Sequence, residues 1–124
     1  MRDFKELAVW QRSHQLTLEL YRVTQSFPRE ETFAQISQIR RAASSIPTNI
    51  AEGCGRQTIS EFLNFLNIAS GSASEVEYEV LLAKDLGYIT DEQCVYYTKE
   101  IRSIRSMLSA YMTKLKETKI TQKK

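Results

Sequence analysis

The chain has 124 residues, enough for one domain with its own core and too many to depend on disulfide staples. It contains only 4 glycines and 2 prolines, which argues against folds built from many turns and long loops. The net charge is only +2 but is unevenly distributed: residues 52–92 are predominantly acidic, and residues 93–124 carry eight basic and two acidic side chains. A local basic surface can attract an anionic partner, although the two regions could instead pair with each other.

Nothing in the sequence indicates secretion or membrane insertion. The amino terminus reads Met-Arg-Asp-Phe-Lys-Glu instead of an apolar signal segment. No run approaches the roughly 18 apolar residues of a membrane span. We therefore expect a cytoplasmic protein of bacterial type that makes no membrane contact. Cys54 and Cys94 are expected to be small buried hydrophobic residues without a disulfide.

The first helix is predicted over about residues 5–26, ending before Pro28. The stripe expected to face the core comprises Val9, Ser13, Leu16, Leu20, Val23 and Phe27. A second stripe on the opposite side comprises Leu7, Trp10, His14, Leu18 and Tyr21. A helix of a monomeric bundle needs one apolar stripe, so the second predicts a subunit interface. The alternative is that the residues of this second stripe are only half-exposed at the edge of the core and contact no other subunit.

The second helix is predicted over about residues 32–54 and contains Pro47. Its core side is expected to comprise Phe33, Ile36, Ile39 or Arg40, Ala43, Ile46 and Ile50. Proline offers no N–H to the carbonyl of Ala43, so a kink is expected there, with the serine hydroxyls at 44 and 45 near the freed carbonyls. Gly53 and Gly55 predict the end of the helix.

The third helix begins at a predicted capping box, Thr58 to Glu61. Its core stripe comprises Phe62, Phe65, Leu66, Ala69, Ala73, Val76, Val80 and Ala83. Additional apolar residues, including Leu63, lie off that stripe. Six small residues occupy positions 69–74, and we expect another helix to approach closely at Gly71, because glycine costs about 1 kcal/mol in a helix interior. A phosphate-binding loop is rejected, since the strand and lysine of such loops are missing.

The fourth helix follows a left-handed stop at Gly87 and a second capping box, Thr90 to Gln93. Its heptad comprises Cys94, Tyr97, Ile101, Ile104, Leu108, Tyr111 and Leu115. The apolar heptad pattern becomes weak after about Glu117, and residues 119–124 are predicted to be a polar, basic tail. Four helices joined by short loops predict an all-α fold over residues 1–118. The expected architecture is an up-down-up-down antiparallel four-helix bundle, with helix two kinked at Pro47.

No catalytic or metal-binding pattern is found. A di-iron bundle needs Glu-x-x-His pairs on two helices, and this chain has a single histidine. No cysteine and histidine spacing fits zinc, and no nucleophile with a base can be assigned. We therefore expect no metal, no cofactor and no enzymatic activity.

The basic residues offer a better functional hypothesis, because arginine forks match phosphate geometry and lysines add long-range attraction. The candidate nucleic-acid contacts are Arg41, Arg56, Arg102, Arg105 and Lys114. The candidate interface residues for an oligomer are Leu7, Trp10, Leu18, Tyr21 and Leu63. Each arginine could instead form an ion pair inside the bundle. That structural role is favoured for Arg40, with Glu52 or Glu61 as its expected partner.

Several segments together resemble a known family. They are Phe4-Lys5-Glu6-Leu7, Val9-Trp10, Phe27-Pro28, Gln38-Ile39-Arg40-Arg41-Ala42, Ser45-Ile46-Pro47, Asn49-Ile50-Ala51-Glu52-Gly53, Gly55-Arg56, Glu61-Phe62, Phe65-Leu66, Ile68-Ala69, Gly71-Ser72, Glu75 and Leu86-Gly87-Tyr88. The chain resembles the four-helix-bundle family named for open reading frames in bacterial 23S rRNA intervening sequences. It also resembles the accessory variability determinant of diversity-generating retroelements. One departure is Phe33-Ala34-Gln35, where Phe-Gly-Leu is usual.

The resemblance implies a ring-like homopentamer with a basic surface. For the retroelement protein it also implies binding to nucleic acid and to a reverse transcriptase. Together with the basic residues, it predicts a non-enzymatic, oligomeric protein that binds RNA or an RNA–DNA hybrid through phosphates. The alternative is a protein-interaction scaffold that binds no nucleic acid.

Overall fold

A computed structural model describes residues 2–123, with side chains described through residue 121. Four α-helices contain most of them: α1 (Ala8–Thr24), α2 (Ser37–Cys54), α3 (Ile59–Asp85) and α4 (Asp91–Lys123). Short 3-10 turns span Phe4–Glu6 and Arg29–Glu31, and a π-helical turn spans Thr32–Ile36. No strand occurs within residues 2–123. None of these helices, over the described positions, is both long and apolar enough for a membrane crossing.

The helices form the predicted bundle. Each helix packs against the next in the chain, and α1 also packs against α4. The predicted core stripes meet in one apolar core, with Leu16 and Leu20 from α1, Phe62 from α3 and Ile104 from α4 almost fully enclosed. Cys54 is buried in it, whereas Cys94 is only half-buried. Because each stripe follows the helical period, burying it brings the four helices side by side.

The helix ends follow the local signals in the sequence. The hydroxyl of Thr58 accepts from the backbone N–H of Glu61 at 3.1 Å, and the Glu61 carboxylate contacts the Thr58 hydroxyl at 2.9 Å. The second capping box is fully reciprocal, with Thr90 and Gln93 each donating a backbone N–H to the other's side chain. Gly87 has a φ of 80°, as a left-handed helix stop requires.

Pro47 lies inside α2, and a hydroxyl from another helix contacts the carbonyl that it leaves without a donor. The Thr17 hydroxyl on α1 lies 3.1 Å from the Ala43 carbonyl oxygen. The nearby serines, which we expected in this role, do not contact that carbonyl: Ser44 donates to the Arg41 carbonyl, and Ser45 pairs with Ser72 on α3 at 2.8 Å. The helix is continuous from residue 37 to residue 54, and a kink at Pro47 remains a prediction.

The prediction that Phe33 belongs to the core is wrong. The backbone leaves helical geometry at Ala34, where φ is −118° and ψ is −105°. This interruption changes the helical phase, so Phe33 is 96% exposed and Gln35 is buried instead. The Gln35 amide donates to the Glu79 carbonyl at 2.9 Å, which joins the start of helix two to α3. Of the alternatives at the next turn, Ile39 is in the core and Arg40 is half-buried.

Two other expectations are corrected. Ala69 and Ala73 are fully buried in the core, but a Cβ added at Gly71 would meet no atom within 4 Å. Gly71 therefore faces open space, directly opposite the core stripe of α3, and no other helix approaches it among residues 2–123. In addition, α4 continues through Lys123, beyond its predicted fading at Glu117. The last residue of the predicted 119–124 tail lies outside the described residues.

Candidate functional site

Arg102 and Arg105 lie one turn apart on α4 and share one carboxylate, that of Glu77 on α3. The Arg102 Nη2 atom is 3.2 Å from Glu77 Oε2, and the Arg105 Nη2 atom is 3.1 Å from Glu77 Oε1. The second contact is an ion pair without a well-aligned hydrogen bond, since Oε1 has no hydrogen-bond donor. Arg105 also donates to the Ser74 hydroxyl at 3.0 Å. The pair of arginines therefore keeps one net positive charge for an outside partner.

The outward side of α4 carries a basic, hydroxyl-rich stripe. Six exposed residues recur in alternating steps of three and four, and we call them the α4 basic face: Lys99, Arg102, Ser106, Ser109, Thr113 and Lys116. Between Glu100 and Glu117 the sequence contains four basic residues and no acidic one. At 1.5 Å of rise per residue the face is about 25 Å long. Lysines, arginines and hydroxyls are side chains that proteins use to contact phosphate oxygens.

Most of this face was missed by the sequence analysis, which selected individual arginines and lysines. Lys99, Lys116 and the three hydroxyl residues were not among the chosen contacts. The sequence does contain a pattern that would have identified them: they recur in steps of three and four residues, as the core residues of α4 do, but on the opposite side of the helix. The Thr113 hydroxyl already donates to the Ser109 carbonyl at 3.1 Å. It can therefore accept hydrogen bonds, and the serines are the hydroxyl donors of the face.

The other predicted basic contacts lie elsewhere on the surface. Lys114 lines a groove of about 500 Å³ between α1 and α4, together with Leu7 and Met107. Arg56 is paired with Glu52 at 2.9 Å and lies over the Phe65 ring at 4.7 Å. The structure therefore brings Arg102 and Arg105 together and separates them from Arg56 and Lys114.

Two adjacent arginines of α2 have different roles. Arg41 is exposed, and no ion pair to it is found among the described residues. Arg40 has a structural role, as expected, but neither Glu52 nor Glu61 is its partner. Its guanidinium donates to the Thr24 hydroxyl at 2.9 Å and to the Tyr21 carbonyl at 3.1 Å, and it lies over the Tyr21 ring. Arg40 thus joins α2 to the end of α1.

Three of the predicted interface residues share one groove. Trp10, Leu18 and Tyr21 line a depression of about 420 Å³ between α1 and α2, which we call the α1–α2 groove. Leu18 is 38% exposed and Tyr21 41% exposed. The two remaining candidates lie outside it: Leu7 lines the α1–α4 groove, and Leu63 is half-buried against the core.

His14 belongs to the α1–α2 groove and is stacked on Trp10, with ring centroids 4.8 Å apart and planes inclined by 11°. The groove that it lines contains no carboxylate or thiol among the described residues. Within the same residues, no group of three or more histidine, cysteine, aspartate or glutamate side chains is arranged to hold a metal ion. Burial raises the pKa of the Cys54 thiol, so its reactive thiolate form is disfavoured.

The sequence profile described as "23S rRNA-intervening sequence protein" matches residues 5–110. The chain belongs to this family. The match covers all of α1, α2 and α3 and includes four of the six residues of the α4 basic face, as far as Ser109.

One solved structure supports the family assignment at the level of the fold. It is a protein of unknown function from the S23 ribosomal protein family of Bacteroides thetaiotaomicron VPI-5482. The two chains are 29% identical, with a TM-score of 0.76 over 85% of this chain and 98% of the other. No match is found among curated proteins. The family and its four-helix bundle are therefore established, and activity must be argued from the surface.

Proposed function

We propose that this member of the 23S rRNA-intervening sequence family is a non-enzymatic, homo-oligomeric protein that binds nucleic acid along the α4 basic face. The observation that carries the proposal is the run of sixteen residues between Glu100 and Glu117 with four basic side chains and no carboxylate. Phosphate contacts made by such a face give affinity without base readout. The family's description refers to 23S rRNA intervening sequences, where such open reading frames lie, so the choice of RNA or an RNA–DNA hybrid as the ligand rests on the resemblance to the retroelement accessory protein.

Homo-oligomerisation would strengthen the binding of nucleic acid to a basic face of this size. One chain offers only a few cations, but a homopentamer would repeat them around its symmetry axis, which multiplies the attraction for a polyanion. The expected location is the cytoplasm. A reverse transcriptase is a further proposed partner for a copy of this gene that accompanies a retroelement.

The test is a salt titration of binding to a fluorescent RNA duplex and to an RNA–DNA hybrid of the same sequence. Lys99→Gln/Lys116→Gln removes two charges from the face, so the slope of log K against log salt should fall by about 1.8 for each protomer that contacts the duplex. Lys5→Gln/Arg29→Gln removes two exposed charges elsewhere and should leave the slope nearly unchanged. The absence of binding at low salt, or an equal change in both variants, would contradict the proposal.

A second candidate is a protein-interaction scaffold, favoured by the exposed apolar lining of the α1–α2 groove. The two functions differ in what the α4 basic face does. Substituting glutamate at Arg102 and Arg105 is a poor discriminator, because Glu77 would then face two further carboxylates and α4 would be destabilised. The lysine pair avoids this problem. A scaffold predicts no nucleic-acid affinity and an unchanged oligomer in every variant of the face.

A further inference from the structure

An exposed stripe on α3 is only partly covered by the rest of the described chain: Arg105 donates to Ser74, and Tyr78 and Leu81 line a shallow groove beside Arg102. It runs directly opposite the α3 core stripe and comprises Ile68, Gly71, Ser74, Tyr78 and Leu81. Ile68 is 44% exposed, Tyr78 58% and Leu81 44%. Their spacing of three and four residues matches the seam of a helix that packs against another helix. We call this surface the α3 stripe.

Gly71 lies near the middle of the α3 stripe, and no contact among the described residues explains why this position is a glycine. Glycine in a helix interior costs about 1 kcal/mol relative to alanine. At Gly53 the reason for glycine is visible, since an added Cβ would lie 2.7 Å from Phe62. At Gly71 an added Cβ would meet nothing within 4 Å. The missing neighbour must come from outside the chain if this glycine serves close helix packing.

The α1–α2 groove is a fitting receptor for the stripe. Its α1 wall carries the stacked Trp10 and His14 pair with Leu18 and Tyr21, and its α2 wall carries the small residues Thr48 and Ala51. Apart from the His14 imidazole, the described lining of the groove contains no side chain that titrates near neutral pH, and no Asp, Glu, Lys or Arg. Its apolar and aromatic surface therefore complements Ile68, Tyr78 and Leu81, and small residues on both partners allow the backbones to approach.

The charges at the margins are also complementary. Arg41 lies in the same helical row as Ser44, Thr48 and Ala51 and comes before them, so it stands at one end of the α2 wall. It is exposed, and no ion pair to it is found among the described residues. On α3, Glu75 is exposed at the margin of the stripe. Two α3 stripes paired in antiparallel fashion about Gly71 would instead place Glu75 opposite Asn67 of the other copy, so neither Glu75 nor Arg41 would gain an oppositely charged partner.

We propose that the α3 stripe of one copy of this chain docks into the α1–α2 groove of the next copy. Gly71 lies at the point of closest approach, and Glu75 faces Arg41. Because the two surfaces differ, the contact is heterologous, and repeating it either closes a ring or propagates a filament. Arg102 lines a groove beside the α3 stripe, whereas the other five residues of the α4 basic face lie outside that groove and remain available around the assembly. The inference rests on the self-association proposed above and names the surfaces that mediate it.

The first test compares Gly71→Arg with Gln15→Arg by light scattering and circular dichroism. Both add one charge at an exposed helical position, but only Gly71 lies in the stripe. Gly71→Arg should keep full helicity and weaken self-association roughly 10- to 100-fold, since the arginine overfills the contact. Gln15→Arg should assemble as the parent does. A Gly71→Arg protein that assembles normally would overturn the pairing.

The second test is a disulfide cross-link in a Cys94→Ser background. Gly71→Cys combined with Thr48→Cys should give a ladder of covalent oligomers on mild oxidation, because each cysteine meets its counterpart on the next copy. Gly71→Cys alone should give none. Dimers from Gly71→Cys alone would show a symmetric α3 contact and overturn the proposal.

The outcomes separate this inference from the proposed function. A parent protein that stays monomeric at micromolar concentration removes both the assembly and this pairing. An oligomer that neither cross-links between positions 48 and 71 nor responds to Gly71→Arg removes the pairing alone. If Lys99→Gln/Lys116→Gln loses nucleic-acid binding, the light-scattering and cross-linking results for the α3 stripe are unaffected.

Discussion

The Thr17 hydroxyl on α1 lies 3.1 Å from the carbonyl oxygen of Ala43 on α2, the acceptor that Pro47 leaves without its helical N–H. The same hydroxyl lies 2.8 Å from the Ser13 carbonyl, so one hydrogen is shared between two acceptors. Thr17 is only 8% exposed, and the contact is closed to solvent. A side chain on one helix thus compensates for a proline on the next.

Replacing Thr17 with valine tests this compensation. Thr17→Val keeps the volume but leaves the buried Ala43 carbonyl without a donor, which should lower the free energy of unfolding by about 1–3 kcal/mol. In a Pro47→Ala background the backbone N–H at position 47 becomes available to that carbonyl, so the same substitution should cost less. Urea unfolding of the four proteins gives the coupling free energy directly. Equal costs in the two backgrounds would exclude the compensation.

Gly53 and Gly55 should respond in opposite ways to alanine. At Gly53 a Cβ would lie 2.7 Å from Phe62 Cδ1 and 3.0 Å from Phe65 Cβ, so Gly53→Ala should destabilise the protein by about 1–3 kcal/mol. At Gly55 the only near atom is the Glu52 carbonyl oxygen at 3.6 Å, and φ is −87°. Gly55→Ala should be neutral or stabilise by up to about 1 kcal/mol. Thermal and urea unfolding measure both, and a Gly53→Ala protein as stable as its parent would show that α2 and α3 can separate without cost.

The stability of the fold should depend on pH through Glu79. Burial raises the pKa of its carboxyl group, the nearby Gln35 side-chain amide opposes this, and the charge of Glu75 reinforces it. Because that pKa is higher in the folded protein than in the unfolded chain, the folded state binds more protons between the two values. Stability is then lost as pH rises through this range. Glu79→Gln should raise the urea midpoint at neutral pH.

The gain from Glu79→Gln should shrink as pH falls toward the ordinary glutamate pKa of about 4.3. Glu6→Gln, at an exposed position of the amino-terminal turn, is the matched control and should give no such pH-dependent gain. Urea midpoints measured from about pH 4 to about pH 7 provide the comparison. A gain that is constant with pH would assign the effect to something other than proton binding.

Glu77 should limit nucleic-acid binding, because it neutralises part of the charge of Arg102 and Arg105. Glu77→Gln keeps the shape of the side chain and releases both guanidinium groups toward solvent. We expect the affinity for RNA at low salt to rise roughly threefold to tenfold, with a steeper salt dependence. The stability cost should stay within about 1 kcal/mol, since both arginines are partly exposed.

The control for this experiment is Glu30→Gln, which removes one exposed negative charge in the Arg29–Glu31 turn, outside α4. Fluorescence anisotropy with one RNA probe measures both variants. If the two affinities rise equally, net charge explains the effect and the position of Glu77 does not matter.

Much of the fold was readable from the sequence, for a local reason. The helical period determines which residues share a face, so Leu16, Phe62 and Ile104 could be assigned to the core before the structure was known. Capping boxes and left-handed glycines act within one turn, and this explains why the ends at Thr58, Gly87 and Thr90 were placed correctly. The non-helical backbone at Ala34 rotates the residues before it relative to the rest of helix two. The spacing of apolar residues does not reveal such a rotation, and Phe33 was therefore assigned to the wrong side.

The surface was less predictable, because partners of charged and small residues come from other helices. The sequence alone determined a four-helix bundle, its core stripes and an excess of basic residues in the last quarter of the chain. Tertiary packing alone decided that Glu77 reaches Arg102 and Arg105, that Arg40 contacts Thr24, and that Thr17 compensates for Pro47. It also left Gly71 facing open space, because which side chains meet depends on how the helices are rotated against one another, a quantity that the whole core sets.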